Sequence, residues 1–251
     1  MASIPLESLP SQVRTACERL RDRLGRLLGD ELVALWVHGA VTFPDRPNRL
    51  GDIDTHGFLV NRPDHEVAAD IQQIHDSIGA ELGIEWDSWY VVKADAIGSA
   101  HPRNALHGNL VDHAWALHRA HWLRGQYVAL GGCTPPELVR LPSWEELQDG
   151  LRNELRYIER HFSLRRDNPT FAAYAVCNCC RILCSVTTRD VVISKNASAQ
   201  WALIHMPDSW HSAIRAAGRI YDGKPEQSDV AILNASVIRF LAEVREKIVS
   251  G

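Results

Sequence analysis

Apolar residues recur every three or four positions early in the chain, where Val13, Ala16, Cys17, Leu20, Leu24, Leu27 and Leu28 fall on one helical face and Arg and Glu fill the other. The pattern predicts an amphipathic helix from Ser8 to Leu28, stopped at Gly29. Leu32 to His38 (LVALWVH) is dense in Val, Leu and Trp and reads as a buried strand ending at Gly39. After a loop containing Pro44, Pro47 and Asn48, Asp52 to Val60 alternates polar and apolar positions and reads as a second strand. Asp64 caps a helix to about Leu82 with Val67, Ile71, Ile74 and Ile78 inward, and Ile84 to Val92 follows as a third strand. From Ala96 to Asn109 no period emerges, and Leu110 to Leu123 is only partly helical in pattern.

A cluster of breakers, Gly131, Gly132, Pro135, Pro136 and Pro142, separates this half from a wholly helical one. Ser143 with Glu146 makes a capping box that opens a helix to about Phe162. Further helices fit Thr170 to Thr187, Asn196 to His205, Ser209 to Tyr221 and Ser228 to Val249. The expected fold class is therefore α+β: a mixed sheet with helices over residues 1–141, then an all-α bundle over residues 142–251.

Composition fits a folded chain, with 45% hydrophobic and 23% charged residues among 251. Lys+Arg 27 against Asp+Glu 31 gives a net charge of -4, which offers no electrostatic footprint for nucleic acid or anionic lipid. The longest wholly apolar runs, such as Leu32 to Val37, fall far short of the roughly 20 residues of a membrane span, and the start carries no export signal. A cytoplasmic monomer with reduced thiols is expected. Cys177, Cys180 and Cys184 share a helical face, a spacing that reads as a core stripe rather than a zinc site.

The candidate chemistry lies in WVHGAVTFPDRPNRLGDIDTHGFLV, a strand, a glycine turn and two acids on the next strand. Asp52 and Asp54 are two apart on a strand, so their carboxylates project side by side and call for a cation between them. Acid pairs also occur on solvated strand edges; here the glycine turn and a third acid distinguish the arrangement. Magnesium suits it, being satisfied by one or two carboxylates plus nucleotide phosphate oxygens. Glu85 or Asp87, also two apart, supplies the third acid. His56 shares the face of the two aspartates, whereas His107, His113, His118 and His121 are unevenly spaced.

The glycine turn followed by D-x-D and an acid in a third strand matches the nucleotidyltransferase pattern of the polymerase-beta type. Over nearly its whole length the chain resembles the aminoglycoside nucleotidyltransferases, in particular the streptomycin and spectinomycin adenylyltransferases. Val37 to Asp54 is similar to that family's metal-binding motif, and YVALGGCTPPELVRLPSWEEL to its interdomain link. CRILCSVTTRDVVISKNASAQWAL, MPDSW and RIYDGK are similar to its carboxy-terminal domain. The resemblance implies Mg-dependent transfer of AMP from ATP, through two magnesium ions, to a hydroxyl of an aminoglycoside or aminocyclitol-type acceptor. It implies that Asp52 and Asp54 hold metal and that Asp87, or Glu85 by residue type, is the general base. It places Gly39 and Ala40 in the phosphate turn, Arg181 and Lys195 on the phosphates and Tyr221 against the nucleotide. Asp167, Leu110 and Trp115 are the candidates for the acceptor. Ala40 and Gly51 stand where the family has serines, leaving phosphate binding to the backbone amides of the turn. The alternatives are a different acceptor, a protein or another metabolite, and a nucleotide-binding protein without transfer activity.

Overall fold

The computed structural model describes residues 2–45, 51–165 and 168–249. It comprises two compact units, one of Met1–Phe43 with Leu50–Pro142 and one of Pro44–Arg49 with Ser143–Gly251.

The first unit is a four-stranded mixed sheet in the order β3-β2-β1-β4. Its strands are β1 (Leu32–His38), β2 (Ile53–Leu59), β3 (Trp86–Val92) and β4 (Val128–Gly132). β1 runs antiparallel to both β2 and β4, while β2 and β3 are parallel. Parallel neighbours need a long crossover, and α2 (His65–Leu82), capped by the Asp64 side chain, provides it. Period-two alternation gives the sheet two buried faces. Leu35, Val37, Ile53 and Leu59 pack with Tyr90 against Leu20 and Leu24 of α1 (Ser11–Leu28) and Ile71 and Ile78 of α2. Ala34, Trp36, Phe58 and Val91 face the other way, onto Trp115 and Trp122 of α4 (Trp115–Leu123). Two short helices, α3 (Lys93–Gly98) and α5 (Pro135–Leu138), complete this unit.

The sequence expectations need amendment at several element boundaries and at one strand. α1 begins at Ser11, because Leu6–Ser8 forms a separate 3₁₀ turn ahead of Pro10. β3 begins at Trp86 rather than Ile84, and helix α4 at Trp115 rather than Leu110. β4 was concealed by its glycines: Gly132 has φ +83°, and a Cβ there would lie 2.0 Å from the Val33 carbonyl oxygen, so close strand approach demands the residue that reads as a breaker.

The second unit contains α6 (Trp144–Leu164), α7 (Pro169–Thr188), α8 (Lys195–His205), α9 (His211–Tyr221) and α10 (Asp229–Val249). The Ser143–Glu146 capping box opens α6. α7 is long and apolar enough to cross a membrane by length and composition, yet most of it is buried inside the protein, its four cysteines included. Asp229, fully buried at the start of α10, accepts hydrogen bonds from Arg219 Nε at 3.0 Å and Glu226 N at 2.7 Å. The Arg219 hydrogen bond holds its carboxyl below the usual range. A depressed carboxyl stabilises the fold above its unfolded pKa of about 3.9 and loses that contribution as pH falls below it. Because Arg219 is partly open to solvent, Asp229→Asn is expected to cost about 1–2 kcal/mol near neutral pH. Denaturant unfolding of the two proteins should show the gap closing under acid conditions.

Candidate active site

β1 ends at His38, and the chain turns sharply through a 3₁₀ segment, Gly39–Thr42. Gly39 has φ +73°, and a Cβ on it would stand 1.6 Å from Asp54 Oδ2. Glycine is therefore required by backbone conformation and by the closeness of the acid alike. The Thr42 hydroxyl donates to the Gly39 carbonyl oxygen at 2.8 Å and fixes the turn. Strand register then assembles the acids: Asp54 lies opposite His38 on β1 and opposite Asp87 on β3, and Asp52 immediately precedes β2.

One carboxylate oxygen from each of Asp52, Asp54 and Asp87 lies within 4.8 Å of the others. Asp52 and Asp87 are exposed and Asp54 half-buried. Surrounding protein, and then the charge of Asp52, raise the Asp87 carboxyl above its ordinary value. Three converging hard oxygen donors with mutual repulsion are the donor set of a magnesium-type cation, so the residues present fit that ion. Glu85 does not join them. Parallel register pairs Trp86 with Ile53, which leaves Glu85 before the strand, exposed, with its carbonyl oxygen accepting from Ile53 N at 2.9 Å.

On the same sheet face, directly behind the acids, lies a second polar group that the sequence did not assemble. His38 Nε2 and His56 Nδ1 are 2.8 Å apart, His118 Nδ1 is 3.0 Å from Asp112 Oδ2, and His56 Nε2 is 3.6 Å from that oxygen. Burial holds His56 neutral, with its pKa lowered to about 4, and lowers His38 well below the ordinary value, helped by His56. Burial also opposes charge on Asp112 and His118, but their mutual attraction wins: the carboxyl falls far below its usual range and the imidazole rises above its own.

The acceptor candidates fare differently. Trp115 is fully buried at the start of α4, with its ring 6.3 Å from Phe58 and 5.3 Å from Trp122, so it is a core residue and not a substrate wall. Leu110 is 51% exposed, in a loop whose backbone closes on Asn104. Asp167 lies outside the described residues.

In the helical unit, Lys195 begins α8 and Tyr221 ends α9. Lys195 Nζ donates to the Tyr221 hydroxyl at 3.3 Å, and it lies 4.8 Å from the Tyr221 ring centroid and 4.7 Å from that of Tyr174. This is a cation held between two aromatic faces. The Tyr174 hydroxyl donates to Glu154 at 3.0 Å, and the charge of the half-buried Arg181 on α7 also bears on Tyr174. Tyr174 and Glu154 were not among the sequence candidates; for Tyr174 the signal was helical spacing, since Tyr174, Cys177 and Arg181 share a face of α7.

Residues 152–247 match the family model described as aminoglycoside adenylyltransferase, C-terminal domain. No curated protein matches the sequence. Among solved structures, the chain is similar to the spectinomycin adenyltransferase AAD(9) from Enterococcus faecialis, a structure with ATP and spectinomycin. The two share 10% identity at a TM-score of 0.72, with 92% of this chain and 98% of that one covered. The helical half thus matches the aminoglycoside adenylyltransferase C-terminal domain in sequence, and almost the whole chain shares its fold with the solved adenyltransferase.

Proposed function

We propose that this protein transfers AMP from ATP to a hydroxyl of an aminoglycoside or aminocyclitol-type molecule, with Mg(II) held by Asp52 and Asp54. The observation that carries the reading is the convergence of Asp52, Asp54 and Asp87 beside the Gly39 turn. The match of the helical half to the adenylyltransferase C-terminal domain, and the fold shared with an enzyme solved with ATP and spectinomycin, support it.

Bound there, magnesium supplies positive charge to offset that of the phosphates and of the departing pyrophosphate. The residues of the chain do the rest. Asp87, set beside Asp54 by the parallel register of β2 and β3, withdraws the proton from the acceptor hydroxyl. Backbone amides of Gly39 and Ala40 face phosphate oxygens, compensating for the missing side-chain hydroxyl at Ala40. Arg181 and Lys195 contact the phosphates and Tyr221 lies against the nucleotide. Leu110 and Asp167 remain assigned to the acceptor.

Incubation with Mg-ATP and a panel of aminoglycosides, followed by mass spectrometry, is expected to show a product heavier by one AMP. Absence of any adduct, with ATP turnover unchanged in Asp52→Asn, would refute the assignment.

A further inference from the structure

We propose that His56, Asp112 and His118 form a zinc site behind the carboxylate cluster and distinct from it. One donor atom from each lies within 4.8 Å of the other two. Donors held around a single zinc at roughly 2.0–2.1 Å sit about 3.4 Å apart in a tetrahedron. The separations from Asp112 Oδ2, 3.0 Å to His118 Nδ1 and 3.6 Å to His56 Nε2, bracket that spacing.

A plain hydrogen-bonded His–Asp pair explains the contact between His118 and Asp112 but not His56. That residue is 3% exposed, and its Nε2 makes no hydrogen bond although it points toward the Asp112 carboxylate. Such a buried nitrogen is costly unless something occupies it. Its other ring nitrogen is engaged with His38, the kind of outer contact that fixes the orientation of a metal-binding imidazole. Asp112 is likewise held, its second oxygen accepting from Ala114 N at 2.8 Å.

The donor chemistry separates the two clusters. Two imidazoles and a carboxylate suit zinc, with a fourth position left for water; three carboxylates suit magnesium. The His118 side chain is 29% exposed, which gives an ion a way in. Zinc here would tie β2, the segment before α4 and α4 itself together two residues along the strand from Asp54, and so stiffen the bed on which the acids rest.

The test uses the whole chain, stripped with chelator and dialysed against Zn(II) in excess Mg(II), with metal content and circular dichroism measured. The wild type and Asp52→Asn are expected to retain one zinc per chain, and His118→Gln and Asp112→Asn to lose it. His38→Phe should weaken zinc binding by about 10–100-fold, as loss of an outer hydrogen bond to a ligating imidazole does. Cobalt(II) in place of zinc should give a tetrahedral visible spectrum that disappears in His118→Gln. A folded wild type that takes up no zinc overturns the proposal, as does zinc kept by His118→Gln and lost by Asp52→Asn. Should the histidine variants not fold, zinc-edge X-ray absorption of the wild type decides: two imidazoles in the coordination shell support the site, and an oxygen-only shell refutes it.

Discussion

Asp87→Asn is expected to lower kcat for AMP transfer by about 10²–10⁴-fold, the usual contribution of a positioned general base. The variant keeps the shape of the side chain and removes its capacity to take a proton. Asp87 is the acid that parallel register sets beside Asp54, and both its surroundings and the charge of Asp52 raise its proton affinity. Glu85→Gln is the matched control. Glu85 is exposed, lies before the strand and stands apart from the cluster, so its loss should leave kcat within about twofold. Steady-state rates of pyrophosphate release for both variants check the pair; equal losses, or a larger loss at Glu85, would reassign the base.

Gly39→Ala is expected to damage activity and stability together. A left-handed φ of +73° disfavours any side chain, and a Cβ 1.6 Å from Asp54 Oδ2 forces the carboxylate out of place. Backbone strain of this kind costs about 1–3 kcal/mol. Displacement of a reacting group by about 1 Å can cost on the order of 10²-fold in rate, and kcat/KM should fall by at least that much. Thermal unfolding read alongside kcat/KM separates the two effects. A variant that melts lower but transfers AMP normally would show that Asp54 can relocate without consequence.

The acids were legible because their signal is local. Asp52 and Asp54 are two apart on a strand, and a glycine turn precedes them, so alternation alone puts both carboxylates on one face. Which of Glu85 and Asp87 stands beside Asp54 was not local: both satisfy the spacing, and only the pairing of β2 with β3 sets it. The same limit hid the histidine cluster. His38, His56, Asp112 and His118 come from two strands, a loop without a period and a helix, so spacing says nothing of their meeting. Trp115 misled for the opposite reason, since an aromatic residue near a site reads as a stacking wall whether it faces a pocket or a core. The helical half was easier, because its caps and 3.6-residue stripes are carried by neighbouring residues such as Ser143 and Glu146.

The central claim, that Asp52 and Asp54 hold a divalent cation for a nucleotide beside Asp87, is tested most directly by manganese(II) titration monitored by electron paramagnetic resonance, with and without ATP. The wild type is expected to immobilise Mn(II) more tightly when ATP is present. Asp52→Asn and Asp54→Asn should each abolish that gain, and His118→Gln should leave it intact. ATP-dependent Mn(II) binding of equal strength in the triple Asn variant and the wild type would contradict the account.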